Sequence, residues 1–494
     1  MDYLDANKEL RQRIILLIGY VLVAIAIVIA TLILVYQAYG FGVNKNGTVI
    51  QNGLVFFSSQ PSRANIYLNG TLRPETTNSR IILPSGIYQA KLTRSGYRDW
   101  NRSLIVNGGM VEHFDYPVLF PNTLSSHSIA NYPSAPGLMT QSPDHRWLVV
   151  QKVGSISDFD LYDSKTPLRP VITTLTLPSG ILTKASSSES WQVVEWSDDN
   201  QHILMEHLFD NKTEFILINT NDATQSINLN TSLNVAPSVV SLNNKKFDSY
   251  YIYNSATEDL QTVDLNNRAP VTLIAHVLAY KSYGDKTVLY VTSDGAEKNK
   301  VKVKINAGGS TYDIRSLPAS KTYLINLTTY SGTLYVAAGS NADNRVYIYE
   351  DPAGQISNQP NSLPSPLWVL HVPNPNYLSF SNNAQFIVAE NGTNFATYDI
   401  ENKLGYLFNE SSTLGLDAPQ TNATWMDGDR LTYISHGQLY VEDYDNNNQQ
   451  KLIKASGAYI PAFSADYKYV YTISVNASGQ YDMEQTPLLN PSDL

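Results

Sequence analysis

Ser142-Pro143-Asp144-His145-Arg146-Trp147-Leu148-Val149-Val150 and Trp196-Ser197-Asp198-Asp199-Asn200-Gln201-His202-Ile203-Leu204 carry one pattern twice: a Ser/Asp turn, then a short apolar strand. Working outward, further turns stand at Asn243-Asn244-Lys245, Tyr283-Gly284-Asp285, Ser331-Gly332, Ser381-Asn382-Asn383, Asp427-Gly428-Asp429 and Ser464-Ala465-Asp466, about 46 residues apart on average. Each precedes an apolar run such as Val288-Leu289-Tyr290-Val291 or Phe386-Ile387-Val388, and a second strand then ends near Asp or Asn, as in Glu214 to Asn219. A period near 45 residues with about four strands per unit is the signature of propeller blades. Counting turns gives eight blades or, if a weak middle unit drops out, seven. Too few residues come after Tyr481 for a full last blade, so a strand around Ser125 to Ala130 is expected to complete it and close the ring.

The two opening units resemble TolB-like propeller repeats. That resemblance implies that each aspartate-rich turn closes a hairpin at a blade edge and has no catalytic role.

Ahead of the repeats, period-two alternation marks strands at Leu54–Phe57, Ala64–Leu68, Arg80–Leu83, Tyr88–Leu92 and Ser103–Val106, with turn signals at Asn69-Gly70 and Pro84-Ser85-Gly86. The stretch from Ser58 through Pro61-Ser62-Arg63-Ala64 to Gly70, then Leu83-Pro84-Ser85-Gly86-Ile87-Tyr88 and Gly96-Tyr97-Arg98-Asp99-Trp100, resembles the PEGA domain over residues 53–107. The name-giving tetrad keeps Pro61 and Ala64 and departs at the two residues between. The resemblance implies a small surface β-sandwich attached to other envelope domains, with no chemistry of its own. Pro61, Ala64, Gly70, Pro84, Gly86, Tyr88, Gly96, Tyr97 and Trp100 are its structural residues, and Tyr97 and Trp100 are read as packing residues and not as a ligand platform.

Ile14 to Tyr36 is 23 residues without a charge. As a helix it spans about 35 Å, enough for a hydrocarbon core of about 30 Å. A cleaved signal peptide competes with this reading, but its apolar region is shorter and only Ala38-Tyr39-Gly40 offers a cleavage site. Lys8, Arg11 and Arg13 precede the span, whereas Lys45 is the sole basic residue close behind it, which places the N-terminus in the cytoplasm. The expected organisation is a cytoplasmic tail (1–13), a membrane helix (14–36), a linker (37–52), the sandwich (53–107), a second linker (108–124) and the propeller (125–494). The fold class is therefore an all-β ectodomain behind one transmembrane helix.

Composition narrows function. A net charge of −10 argues against a phosphate-neutralising surface and hence against nucleic acid. With no cysteine, disulfides, thiolate metal sites and a Cys nucleophile are excluded. The 33 tyrosines, with abundant Asn, suit stacking and hydrogen bonding to a polysaccharide or protein, though most are expected as cross-strand pairs. Candidate chemistry fails on spacing. His202-Ile203-Leu204-Met205-Glu206-His207 fits no helical zinc pattern, and on a strand His202 and Glu206 face away from His207. Asp443-Tyr444-Asp445-Asn446-Asn447 has the oxygens of a calcium loop, but Asn448 stands where it needs glycine and Lys454 where it needs glutamate. That stretch reads as a solvated hairpin turn, as do Asp158, Asp160 and Asp163. No catalytic residue, cofactor site or metal site is expected.

The expected function is a membrane-anchored extracytoplasmic binding or scaffold protein of the bacterial cell envelope. One helix engages the lipid bilayer and the propeller takes an envelope protein or polysaccharide; a small-molecule substrate stays open. A propeller-type hydrolase or lyase acting on an envelope polysaccharide or peptide is the alternative, and the ectodomain of a sensor complex a third.

Overall fold

A computed structural model describes residues 6–43, 47–167, 170–360, 362–409, 416–417 and 422–494, with side chains from Leu10 onward. It opens with one helix, Ala6–Ala38, whose stretch Leu10–Ala38 contains an 18-residue window of mean hydropathy 3.0 with no buried residue. Apolar residues surround this helix with no protein surface to cover them. Such a helix is long and apolar enough to be a membrane span or a signal sequence. Ile14 and Tyr36 lie on it, Arg11 and Arg13 are exposed near its start, and the side chain of Lys8 lies outside the described residues.

The chain divides into two units, residues 1–123 with 491–493, and residues 124–490 with Leu494. In the first, Phe41–Val43, Val49–Phe57, Ser79–Pro84 and Val111–Phe114 form one four-stranded sheet. Thr71–Thr76, Asn65–Leu68, Gly86–Thr93 and Trp100–Val106 form another, in that spatial order. Alternate residues are buried: Val55, Phe57, Ile81 and Leu83 from one sheet, Ile66, Leu68, Ala90, Leu92, Leu104 and Val106 from the other. Each sheet thus buries one face and exposes the other, as period two requires, although the exposed face of the first sheet keeps Leu54, Phe56 and Ile82.

Both segments read as linkers contain strands. Phe41–Val43 pairs with Val49–Gln51, and Val111–Phe114 runs parallel to Leu54–Phe57. Gly53 lies mid-strand and not at a turn, and a Cβ there would sit 2.5 Å from the carbonyl oxygen of Asn107. Close backbone approach is the other standing use of a strand glycine.

The second unit contains eight four-stranded antiparallel sheets in succession, at 139–176, 189–228, 239–274, 277–318, 323–371, 377–409, 424–454 and 462–487, the last completed by His127–Tyr132. We number these blades 1 to 8, which decides between seven and eight. The ring is closed by an N-terminal strand: Tyr481 pairs with Tyr132 and Gln485 with His127. First strands of neighbouring blades touch one another, so they line the axis, while fourth strands such as Val171–Thr176 are exposed at the rim. Buried clusters join blade to blade, as where Leu161 and Leu175 of blade 1 meet Trp191, Met205 and Ile216 of blade 2.

The turns that betrayed the repeat all fall between first and second strands, hence on one face of the ring. Four are built alike. The Ser142, Ser197, Ser381 and Ser464 amides each donate to the carbonyl five residues on, at 2.8 to 2.9 Å. The carboxylate or amide oxygen of Asp144, Asp199, Asn383 or Asp466 accepts from the backbone N–H two residues later. His145, Asn200, Ala384 and Tyr467 then take positive φ, from 54° to 62°. Side-chain acceptors replace ladder bonds where the chain reverses, which is why Ser and Asp recur there.

Candidate functional site: the propeller mouth

On the turn-bearing face, the first strands of blades 2 to 5 enclose a cavity of about 620 Å³. Two of those strands carry β-bulges, between Val193 and Glu195 in blade 2 and between Val277 and Ala279 in blade 4. An extra residue breaks the alternation and turns the side chains beyond it to the opposite face. Glu195 and the Tyr280-Lys281 pair stand just after these bulges and line the cavity.

Its polar groups are tied across blade boundaries. The Glu195 carboxylate accepts from the Leu242 amide and from Lys245 Nζ, both in blade 3. Ser241 Oγ and Tyr280 Oη lie 2.9 Å apart, linking blades 3 and 4, and Tyr283 Oη bonds Thr329 Oγ1 of blade 5. Similar links continue the belt: Trp196 Nε1 donates to Thr140 Oγ1 at 2.9 Å, Trp425 Nε1 to Ser379 Oγ at 3.0 Å, and Gln141 Nε2 to the Phe463 carbonyl at 2.7 Å.

Lys281 is exposed to solvent within the cavity, and the protein around it partly desolvates its ammonium and holds it below the ordinary lysine value, Glu195 opposing the shift and Lys245 adding to it. Burial likewise raises the Tyr280 phenol, so its hydroxyl stays protonated and able to donate. The cavity thus presents two carboxylates, Glu195 and Asp198, two ammonium groups, Lys245 and Lys281, and several hydroxyls, a lining suited to polyhydroxylated groups.

A second polar cluster surrounds the blade 7 turn. Arg430 is buried and pairs with Asp427, whose Oδ1 also accepts the Asp429 and Arg430 amides at 2.8 and 2.9 Å. Asp399 accepts the Glu401 and Asn402 amides, and Asp443 accepts from Asn448. Among the described residues the Asp429 carboxylate accepts no hydrogen bond. Burial pushes it up to about 7, Arg430 pulling it down and Asp427, Asp443 and Asp399 adding to the rise.

Of the sequence candidates, His202 sits 2.6 Å from Asp199 and stacks on Phe247. His207 is buried, its ring nitrogens 2.9 Å from Glu214 and 3.1 Å from Glu189. Burial opposes the charge on Glu214, but bonds from His207, Thr183 and Asn228 outweigh it and hold its carboxyl at about 2. Asp158, Asp160 and Asp163 do not form a turn; they lie within the third strand of blade 1, where Phe159 and Leu161 face inward. Asp158 accepts from Thr176 and Ser155, and Asp163 takes both Arg146 guanidinium bonds. Asp443 ends a strand and Asp445 to Asn448 form the turn after it, where Asn447 bonds Asp445. Among the described residues no group of three or more His, Asp or Glu is placed to hold a metal ion.

In the first unit Pro61, Ala64, Tyr97 and Trp100 are buried, Trp100 packing edge-on to Tyr116. Gly70 takes φ +78° after Asn69 at +50°, and Gly96 takes +83°. Tyr88 Oη donates to the carbonyl of Pro84, and Gly86 opens the strand that contains Tyr88.

Sequence reasoning missed the mouth residues, although a signal existed. Two positions before the turn serine the repeat has Thr140, Ser379 and Ala462, and only in blade 2 a charge, Glu195.

No family model and no curated protein matches the sequence. Among solved structures, the chain is similar to the Dos1 propeller at 12% identity and TM-score 0.45, covering 74% of this chain and 95% of that one. It is similar to apo AztD from Citrobacter koseri at 11% and 0.38, covering 80% and 96%. It is similar to an oligogalacturonate lyase in complex with manganese at 12% and 0.36, covering 75% and 99%. The propeller assignment rests on the strand pairing described above.

Proposed function

We propose that this chain is a membrane-anchored, extracytoplasmic binding protein of a bacterial envelope. Its propeller takes a polysaccharide or a protein at the mouth, and a PEGA-like sandwich serves as the membrane-proximal spacer. The observation that carries the reading is the mouth cavity, whose volume falls within the roughly 300 to 1,000 Å³ of ligand sites and two of whose charged groups, Glu195 and Lys281, stand just after bulges. A lysine held below its ordinary value beside ordered hydroxyls favours acceptor-rich ligands such as heavily hydroxylated glycans. The apolar helix, with Arg11 and Arg13 ahead of the span, supports the orientation.

The test is sedimentation of the full chain in nanodiscs with isolated cell-wall polysaccharide, beside cross-linked capture of envelope proteins. Lys281→Met and Ser241→Ala are expected to lower retention, Lys281→Met with the unfolding midpoint unchanged. Turnover of the glycan that vanishes in Glu195→Gln moves the protein to the hydrolase or lyase class. Unaltered retention in both variants refutes the mouth as the site.

A further inference from the structure

Only Tyr39 and Gly40 separate the end of the helix at Ala38 from the strand starting at Phe41. Gly40, at φ +77°, reverses the chain there, and Phe41 stacks on Tyr36 of the last helical turn with ring centroids 4.6 Å apart. The strand therefore lies beside the helix instead of continuing its line. It pairs with Val49–Gln51, the Asn52 amide donates to the Gly40 carbonyl at 2.7 Å, and Gln51 Nε2 donates to the Tyr39 carbonyl at 3.1 Å. The turn at Gly108-Gly109 packs on the same spot: the Gly109 amide donates to the Asn52 carbonyl, and a Cβ on Gly109 would meet the Tyr39 oxygen at 3.3 Å.

Around this junction Tyr39, Val43, Val49, Met110 and Val111 are each more than half exposed. Large apolar side chains gathered at one end of a small sheet need a covering surface. The helix they adjoin names one, because a chain whose last helical turn reaches the bilayer surface brings these residues to the same depth. Tyrosine at this level fits the aromatic belt at membrane–water interfaces.

We infer that these five side chains form a foot that beds the first unit into the outer interfacial layer of the membrane its helix spans. The inference rests on the anchor reading above and adds to it. The helix does not trail a free tether; the hydrogen-bonded hairpin fixes the sandwich at the lipid surface.

The absence of native cysteine makes the test clean. Single variants Val43→Cys, Val49→Cys and Met110→Cys of the full chain, in phosphatidylcholine nanodiscs, are spin-labelled and compared with Ile25→Cys inside the helix and Asn65→Cys in the sandwich. Asn65 pairs with Thr93, seven residues up the strand from Gly86 at the foot end, about 23 Å away at roughly 3.3 Å per residue. Labels at 43, 49 and 110 are expected to be reached by oxygen and lipid-borne quencher and protected from an aqueous nickel chelate, at depths of about 5 to 10 Å. The label at 65 should behave oppositely. Aqueous access at 43, 49 and 110 while 25 stays in lipid overturns the foot and leaves the anchor standing. Aqueous access at 25 overturns the anchor and the foot with it. Shielding of the three labels from both probes means that protein covers the patch, which also refutes the proposal.

Discussion

Replacing Asp429 by asparagine keeps the shape of the blade 7 turn and removes one charge from a cluster that holds Asp427, Asp443, Asp399 and Arg430. In the folded chain the Asp429 carboxyl titrates at about 7 against an ordinary value of 3.8. The folded protein therefore binds more protons at this site than the unfolded chain between those limits, and stability falls as pH rises through that window. A shift of about three units corresponds to roughly 4 kcal/mol, and relaxation of a coupled cluster reduces it to about 1–3 kcal/mol above pH 7. Asp429→Asn is expected to match wild type near pH 4 and exceed it by that amount at pH 8. Urea unfolding followed by tryptophan fluorescence at pH 4, 5, 6, 7 and 8 measures this. Parallel stability profiles for the two proteins across that range refute the reasoning.

Below pH 4.5 the opposite sign applies to Glu214, whose carboxyl at about 2 contributes stability that is lost as pH falls toward that value; Glu214→Gln should flatten the acid limb of the profile. Gly53→Ala places a Cβ 2.5 Å from the Asn107 oxygen and should lower stability of the first unit by about 1–3 kcal/mol, read by hydrogen exchange in residues 49–57. Ala384→Gly releases a positive φ of 62° and is expected to raise the unfolding free energy by up to about 1 kcal/mol, the relief of strain partly offset by glycine's added freedom when unfolded. Tyr132→Ala removes a buried ring from the closing strand and its bonds to Tyr162 and Asp160; about 3–5 kcal/mol should be lost, seen as a lower thermal midpoint.

The propeller was readable because its turns solve one local problem with local chemistry. A serine, an acceptor two residues on and a positive φ next to it must lie close in sequence, so Ser142, Ser197, Ser381 and Ser464 each announce a hairpin. Blade count came from their spacing, and alternation at Val55, Phe57, Ile81 and Leu83 exposed the sandwich core. The features that escaped depend on partners distant in the chain. The pairing of Val111–Phe114 with Leu54–Phe57 is a tertiary fact, so residues 108–124 read as a linker, and the steric need for Gly53 is likewise set by the distant Asn107. The strand at Asp158–Asp163 reads as a turn because its acids are satisfied by Ser155, Thr176 and Arg146, which composition cannot pair with them. The mouth was hidden because bulges at Val193 and Val277 decide where Glu195 and Lys281 point, and nothing at those residues marks an insertion.

Ring closure by His127–Tyr132 sets a schedule for how the molecule is made. The strand that seals blade 8 is synthesised first among the propeller's strands and meets its partners roughly 350 positions later, a contact of extreme sequence separation. At about 5 to 20 residues per second, that segment waits some tens of seconds with an unpaired edge. Blades 1 to 7 can assemble in order as they emerge, each against its predecessor, yet the circle stays open until residues near Gln485 arrive. A prematurely terminated chain is therefore left with a gap in the ring and two bare sheet edges, the state in which a β protein pairs with its neighbours.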